Sequence, residues 1–144
     1  MDFFESYTSI IHYESLQMNL AIAAAKDMEA WQIDYVMVYL NAEPQATVHI
    51  KLPEGAKVEG KVGLLLKSLY GMMDGAANWW VTLDKDMREL GYQWSNADTS
   101  VCSQHEDGET TITSTYTDNT MGISMTKEGA ERAKAELGRK LSRS

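Results

Sequence analysis

The ten residues 31–40 are almost all β-branched, aromatic or otherwise apolar, and this run restricts the fold more than any other part of the sequence. Gln32 and Asp34 are its only polar members. Such a composition is typical of a mostly buried β-strand. A turn is predicted at residues 41–44, and the alternating residues 46–52 are predicted to be the return strand. We therefore expect a sheet built around a strand that carries Asp34.

The remaining segments place helices between pairs of strands. Helices are predicted at residues 16–29, with Ser15 as the N-cap, at 75–90, where Trp79 lies on the apolar face, and at 127–144. Two further strands are predicted at residues 99–104 and 110–118, around the turn EDGE. The order α-β-β-α-β-β-α implies an α+β fold, with an antiparallel or mixed sheet and helices packed on one face. No repeat or linker interrupts residues 1–144, so a single domain is expected.

Charge limits the classes of partner. The chain has 21 acidic and 13 basic residues and a net charge of -8. This balance disfavours nucleic acid as a partner, because affinity for a duplex depends on neutralising its phosphates. Residues 127–144 are the exception, with six basic and three acidic side chains. This basic C-terminal helix either places cations where the helix dipole favours them or binds a partner.

Other features concern redox state and compartment. Cys102 is the only cysteine, which excludes an intrachain disulfide framework and a cysteine zinc site, and a buried thiol is expected. No apolar run is long enough to cross a bilayer, so no membrane partner is expected. The N-terminal residues MDFFESY are acidic where a signal peptide would be basic. An intracellular location, cytoplasmic or nuclear, is expected.

Four groups of short motifs follow one another along the chain. They are Gln32-Ile33-Asp34 with Tyr39-Leu40-Asn41, Lys67-Ser68-Leu69-Tyr70-Gly71 with Trp79, Ser95-Asn96-Ala97-Asp98, and Tyr116-Thr117-Asp118-Asn119. In this order they resemble the reverse transcriptases of copia-type retrotransposons. The resemblance covers nearly the whole chain, and it implies the palm of an RNA-directed DNA polymerase.

The resemblance also implies a metal site with one position altered. In the family, three aspartates hold two metal ions that activate the primer hydroxyl and stabilise the leaving pyrophosphate. Asp34 and Asp118 match two of these catalytic positions. The third is occupied by Asn119, a neutral amide that supplies no charge to a magnesium ion. Asp34 and Asp118 are therefore candidate, vestigial metal ligands.

Nucleotide-binding positions of the family are retained in part. Tyr39, Tyr70 and Gly71 match them, although ordinary packing also accounts for the two tyrosines. Positions that are basic in the family are Val36, Met73 and Ala77 here. Apolar side chains at these positions cannot contact phosphates.

The expected function follows from these departures. The resemblance implies that the chain corresponds to the middle of a polymerase, and we expect it to lack the family's fingers segment before it and the thumb after it. With Asn119, this predicts a palm fragment without polymerase activity or a cofactor, acting as an interaction or self-associating module. Its partner is then a second copy or another protein. One alternative is a residual or partner-completed RNA-directed DNA polymerase that uses magnesium or manganese. The other is non-catalytic nucleic-acid binding through the helix at residues 127–144.

Threonines alternate along the last predicted strand. Thr111, Thr113, Thr115 and Thr117 share one face of residues 110–118. Threonine keeps β-propensity while giving up hydrophobic burial, so this face is expected to be solvated. A partner that hydrogen-bonds to it or adds a strand is the alternative.

Overall fold

Helices and short strands succeed one another in this computed structural model, which describes residues 11–36, 40, 42–70, 72 and 74–141. Its helices are α1 (Tyr13–Lys26), α2 (Gly75–Glu89) and α3 (Lys127–Leu141). Its strands are β1 (Glu29–Asp34), β2 (His49–Ile50), β3 (Gly63–Leu64), β4 (Gln93–Trp94), β5 (Val101–Glu106), β6 (Glu109–Tyr116) and β7 (Asn119–Ser124), with a 3-10 turn at Glu54–Ala56. The expected α+β class is confirmed. No helix of the described ranges is long and apolar enough to cross a membrane.

The main sheet differs from the expected strand pairing. Five strands form an antiparallel sheet in the order β1-β7-β6-β5-β4, and β2 pairs with β3 separately. The prediction that residues 46–52 return beside β1 is wrong, because β2 pairs with β3 in a separate sheet and the described neighbour of β1 is β7. The turn at residues 117–118 lays β7 between β6 and β1. The sequence pattern missed β7, because its residues 119–124 mix polar side chains with a glycine.

Local signals account for several element ends. The predicted turn between β5 and β6 is confirmed as Asp107-Gly108, where both residues have positive φ, 51° and 79°. This conformation suits an Asp-Gly pair and closes a two-residue hairpin. At the start of α3, the Gly129 amide donates to the Thr126 hydroxyl at 3.0 Å, which is an N-cap bond.

The predicted N-cap of the first helix is wrong. α1 begins at Tyr13, and the flanking residue is His12 rather than Ser15. α1 ends where Asp27 adopts a left-handed conformation with φ 54°. Aspartate tolerates this conformation better than most residues, which explains why the alanine-rich run stops there.

The helices are divided between the two faces of the main sheet. The core between the sheet, α2 and α3 includes Trp31, Tyr35, Cys102, Trp79, Leu83, Met87, Ala133 and Leu137. On the opposite face, the Asn19 amide of α1 donates to the Ser114 hydroxyl at 2.6 Å. Side chains alternate along β6, so Ser114 points away from the face that Thr113 shares with the core. The expected packing on one face therefore describes α2 and α3, and α1 covers the other face.

The threonine face of β6 is buried, so the prediction of a solvated face is wrong. Thr111, Thr113 and Thr115 are at most 3% exposed, beneath α2 and α3. Their hydroxyls pair across the sheet, Thr111 with Ser124 at 3.0 Å and Thr115 with Thr120 at 3.1 Å. Cross-strand hydroxyl bonds satisfy groups whose burial would otherwise be costly.

Cys102 completes this layer, and its predicted burial is confirmed. Its thiol lies 2.9 Å from the Thr113 hydroxyl. Burial raises the pKa of the Cys102 thiol to about 12, although the Thr113 contact opposes the shift. The thiol is therefore protonated at neutral pH and is not a nucleophile.

Arg132 and Lys140 of α3 face acidic groups of other elements of the same chain. Lys140 lies against Glu89 and 3.8 Å from the Asp86 carboxylate, both on α2. Arg132 lies 3.9 Å from the Glu106 carboxylate on β5. These contacts connect α3 to the acidic body and favour a role for its cations within the fold.

Trp31 of β1 lies directly over Gly122 of β7. A β-carbon at position 122 would overlap the Trp31 ring, and the Trp31 indole donates to the Ser124 hydroxyl at 3.0 Å. Close approach of a ring to the backbone is one reason for glycine inside a strand. The pair therefore fixes how β1 and β7 are aligned.

Gly122→Ala is expected to lower the free energy of unfolding by about 1–3 kcal/mol, because the added methyl group forces Trp31 off its position. Urea unfolding followed by tryptophan fluorescence measures the change. Gly138→Ala on α3 is the matched control, since no atom lies within 4 Å of the added carbon. It should be neutral or stabilising by up to about 1 kcal/mol. Equal stability of the two variants would contradict the role of Gly122.

Candidate active site

The turn between β6 and β7 carries two of the predicted site residues. Tyr116 and Asn119 are paired at the hairpin end, so Thr117 and Asp118 form a two-residue turn. Thr117 is left-handed, with φ 49°. A β-branched residue is strained in this region by roughly 1–2 kcal/mol. Strain of this kind persists only where the surrounding structure holds it.

The register of β1 and β7 brings the third residue to this turn. Asp34 is the direct cross-strand partner of Asn119. Directly opposed side chains share a face, with β-carbons about 5 Å apart. The Tyr35 amide donates to the Asp118 carbonyl at 2.7 Å, which continues the ladder into the turn. The backbone positions of Asp34, Asp118 and Asn119 therefore adjoin at one corner of the sheet.

The donor set of this cluster is oxygen-rich and low in charge. Asp34 and Asp118 are exposed, and Asn119 is half-buried. Two carboxylates and an amide oxygen are the ligand type that magnesium and manganese prefer. The described residues nevertheless contain no group of three or more His, Cys, Asp or Glu side chains that could hold a metal ion. The ligand atoms of these residues are of the type that binds one hard cation. They carry two negative charges in place of the three that the family's aspartates supply.

Trp79 of α2 contacts the turn from the core side. Its indole Nε1 donates to the Thr117 carbonyl oxygen at 2.7 Å. The ring is 1% exposed and lies 6.2 Å from the Tyr35 ring, centroid to centroid. The prediction that Trp79 is a core residue is confirmed. The sequence does not predict its hydrogen bond to the turn. The only hint that Trp79 and Thr117 lie close together is that their two motifs occur in the same chain.

The predicted nucleotide-binding residues belong to other segments. Tyr39 and Gly71 lie outside the described residues. Tyr70 is 60% exposed in the stretch between β3 and α2. That stretch is held by Ser68, whose amide donates to the Ala42 carbonyl at 2.9 Å. The nucleotide-binding assignments of these three residues remain predictions.

The motif at residues 95–98 has a structural role. The buried Asp98 carboxylate accepts hydrogen bonds from the Ser100 amide at 2.9 Å and the His12 amide at 3.0 Å. Burial raises the pKa of Asp98, but hydrogen bonds from Ser15, Ser100 and His12 outweigh it and hold the pKa below its usual value. Asp98 therefore joins the start of α1 to the loop before β5.

Comparison with known proteins bears on this arrangement. The family model described as Reverse transcriptase (RNA-dependent DNA polymerase) matches residues 1–142. The chain belongs to the reverse transcriptase family. The family assignment covers both the turn with Asp118 and the strand with Asp34, so it agrees with the motif resemblance. No solved structure matches the chain.

Two relatives of the chain are transposon polyproteins. It is 30% identical over 104 residues to the retrovirus-related Pol polyprotein from transposon TNT 1-94 of Nicotiana tabacum, covering 70% of this chain and 8% of that protein. It is 28% identical over 105 residues to the transposon Ty1-NL2 Gag-Pol polyprotein of Saccharomyces cerevisiae, covering 66% and 6%. The predicted copia-type relationship is confirmed. The aligned regions span less than a tenth of these relatives.

Asp98→Asn is expected to lower the free energy of unfolding by about 1–2 kcal/mol at neutral pH, because charged hydrogen bonds to two amides are weakened. The native pKa of Asp98 is depressed, so its stabilising effect is complete above the unfolded pKa of about 3.9 and is lost as pH falls through the lower native pKa. The difference between wild type and variant should therefore shrink below about pH 4.

Urea unfolding between pH 3 and pH 7 measures this difference. Asp107→Asn is the matched control, because it removes the same charge at an exposed turn position that asparagine also tolerates. A destabilisation by Asp98→Asn that is constant across this pH range would contradict the assigned role of the carboxylate.

Proposed function

We propose that this reverse transcriptase chain is a non-catalytic interaction module that does not carry out nucleotidyl transfer by itself. The observation that carries the proposal is Asn119 directly opposite Asp34. Two-metal chemistry needs the attacking and the leaving oxygen to be stabilised together by closely spaced cations. Asp34 and Asp118 supply two charges, and Asn119 adds a donor without a charge.

The deficit is electrostatic. A divalent ion near one extra carboxylate gains roughly 2 kcal/mol even at the dielectric constant of water, since the interaction of unit charges at 4 Å is about 1 kcal/mol there. Asparagine and aspartate have nearly the same shape, so this energy can be removed while the turn keeps its structure. We infer that metal capture at this site is weak for lack of the third carboxylate.

An exposed apolar strip supports the interaction part of the proposal. Val62, Leu64 and Leu66 lie at alternate positions in and next to β3, and they are 65%, 54% and 73% exposed. The strip lies on a two-stranded sheet, an arrangement of marginal stability in water. Contiguous exposed apolar surface of this kind marks interaction sites. We propose that a second copy of the chain covers the strip.

A residual or partner-completed polymerase is the second candidate. It is favoured by the retention of Asp34 and Asp118 at one corner of the sheet, with a strained turn held from the core by Trp79. Magnesium or manganese would bind at the two carboxylates, and the metal would activate a primer hydroxyl when bound. Binding of nucleic acid through α3 is not favoured, because Arg132 and Lys140 face carboxylates of the same chain.

Asn119→Asp is expected to tighten manganese binding about tenfold or more, through the added charge. Titration followed by electron paramagnetic resonance of free manganese measures the affinity. Asn96→Asp, which adds the same charge at an exposed loop position, should leave the affinity unchanged. Adding Asp34→Asn to the Asn119→Asp variant should reverse the gain. Wild-type affinity equal to that of Asn119→Asp would contradict the proposed electrostatic deficit.

Primer extension with magnesium and with manganese separates the two candidate functions. The wild-type chain is expected to give no extension product, because its site holds metal too weakly. Extension by the wild-type chain that Asp34→Ala abolishes would overturn the non-catalytic proposal in favour of the polymerase.

Self-association is expected to depend on the apolar strip. Sedimentation velocity should show a dimer that dissociates on dilution, and the double variant Leu64→Ser, Leu66→Ser should be monomeric. Met18→Ser is the control, because Met18 is an equally exposed apolar residue on α1. A wild-type chain that stays monomeric at high concentration would overturn this part of the proposal.

A further inference from the structure

We infer that Trp79 is a positioning residue that sets the backbone of the turn carrying Asp118 and Asn119. The inference rests on the proposed identity of this turn as the altered metal site. Trp79 is on α2, 38 residues before Thr117 in sequence, and its indole reaches the turn at 2.7 Å. Trp79 carries no metal-ligating group, so it acts through the peptide of Thr117.

Thr117 needs an external contact to keep its conformation. Its φ of 49° is left-handed, and a β-branched side chain is disfavoured there. The indole N–H is a donor only, and the Thr117 carbonyl accepts it at the short end of the usual N–H···O range. This bond favours the one orientation of the Thr117–Asp118 peptide that the turn requires.

A second bond fixes the next peptide of the turn. The Asp118 carbonyl accepts from the Tyr35 amide at 2.7 Å. The Tyr35 and Trp79 rings contact each other at 6.2 Å, with an interplanar angle of 56°. Two consecutive carbonyls are therefore held by residues of one packed layer. This arrangement orients the Asp118 side chain and the start of β7 relative to Asp34.

The anchor of this arrangement is rigid. Trp79 is 1% exposed and belongs to the core formed by the sheet, α2 and α3. A donor on a buried ring has little freedom to leave its acceptor. The metal site thus differs from a three-carboxylate site in charge, whereas its geometry is maintained from the core.

Trp79→Phe removes the donor and keeps an aromatic ring. We expect the three-bond coupling between the amide and α-hydrogen of Thr117 to change and the amide shifts of Asp118 and Asn119 to move. In the Asn119→Asp background, manganese affinity should fall about fivefold, the effect of one hydrogen bond. Trp80→Phe is the matched control, since Trp80 packs against Trp94 with ring centroids 4.9 Å apart, and it should leave both measurements unchanged.

Thr117→Gly distinguishes positioning from general packing. Glycine adopts positive φ without strain, so it should restore most of the affinity lost in Trp79→Phe. A purely structural role of Trp79 would leave that loss unrescued by Thr117→Gly. An unchanged Thr117 coupling in Trp79→Phe, or the absence of rescue, would overturn the inference.

Two readouts separate this inference from the proposed function. The Thr117 coupling is measured without metal, so it tests Trp79 even if Asn119→Asp fails to bind manganese. If the Trp79 variant does not fold, hydrogen exchange of the indole protons in the wild-type chain tests the inference instead. The Trp79 indole proton should exchange at least tenfold more slowly than that of Trp80, and equal rates would overturn the inference.

Discussion

The antiparallel pairing of β1 with β7 is the constraint on which the rest of the structure depends. A slip of one residue would move every β1 side chain to the other face, so Asp34 would turn toward α2 and α3, and Trp31 would turn away from them. Trp31 prevents this slip, because its ring fits only over Gly122. A packing contact in the middle of the strand pair therefore determines which side chains oppose each other at its end, where Asp34 faces Asn119.

The core beneath the site is polar in an unusual way, and this also follows from the pairing. Thr111, Thr113 and Thr115 are buried, yet each hydroxyl has a partner on a neighbouring strand. Hydrogen bonds between hydroxyls are directional. They therefore favour one register of the strands that lie beneath α2 and α3. They also leave space at the sheet surface for the large rings of Trp31 and Tyr35, which belong to the same core.

Sequence reasoning succeeded where signals were local and failed where they depended on distant partners. The Asp107-Gly108 hairpin and the helix containing Trp79 follow from turn chemistry and helical periodicity within a few residues. The placement of Asp34 and Asp118 at the same corner of the sheet was predictable only from the family resemblance. The place of β7 beside β1 depends on Gly122, which leaves room for the ring of Trp31, 91 positions earlier in the chain. No periodicity in the sequence reveals this contact. The threonines were misjudged because residue type indicates little about burial when a hydroxyl finds a cross-strand partner.

The backbone geometry of the turn and the charge of its side chains depend on different contacts. The strained Thr117, the Trp79 bond and the Tyr35 bond all act on backbone atoms, and none of them involves the side chain at position 119. Replacing a carboxylate by an amide at that position therefore leaves these supports intact. A change that alters only charge can persist in a chain that still folds, because the stability of the turn and the capture of a cation depend on different atoms. The backbone structure of this corner of the sheet and its charge are in this sense independent properties of the sequence.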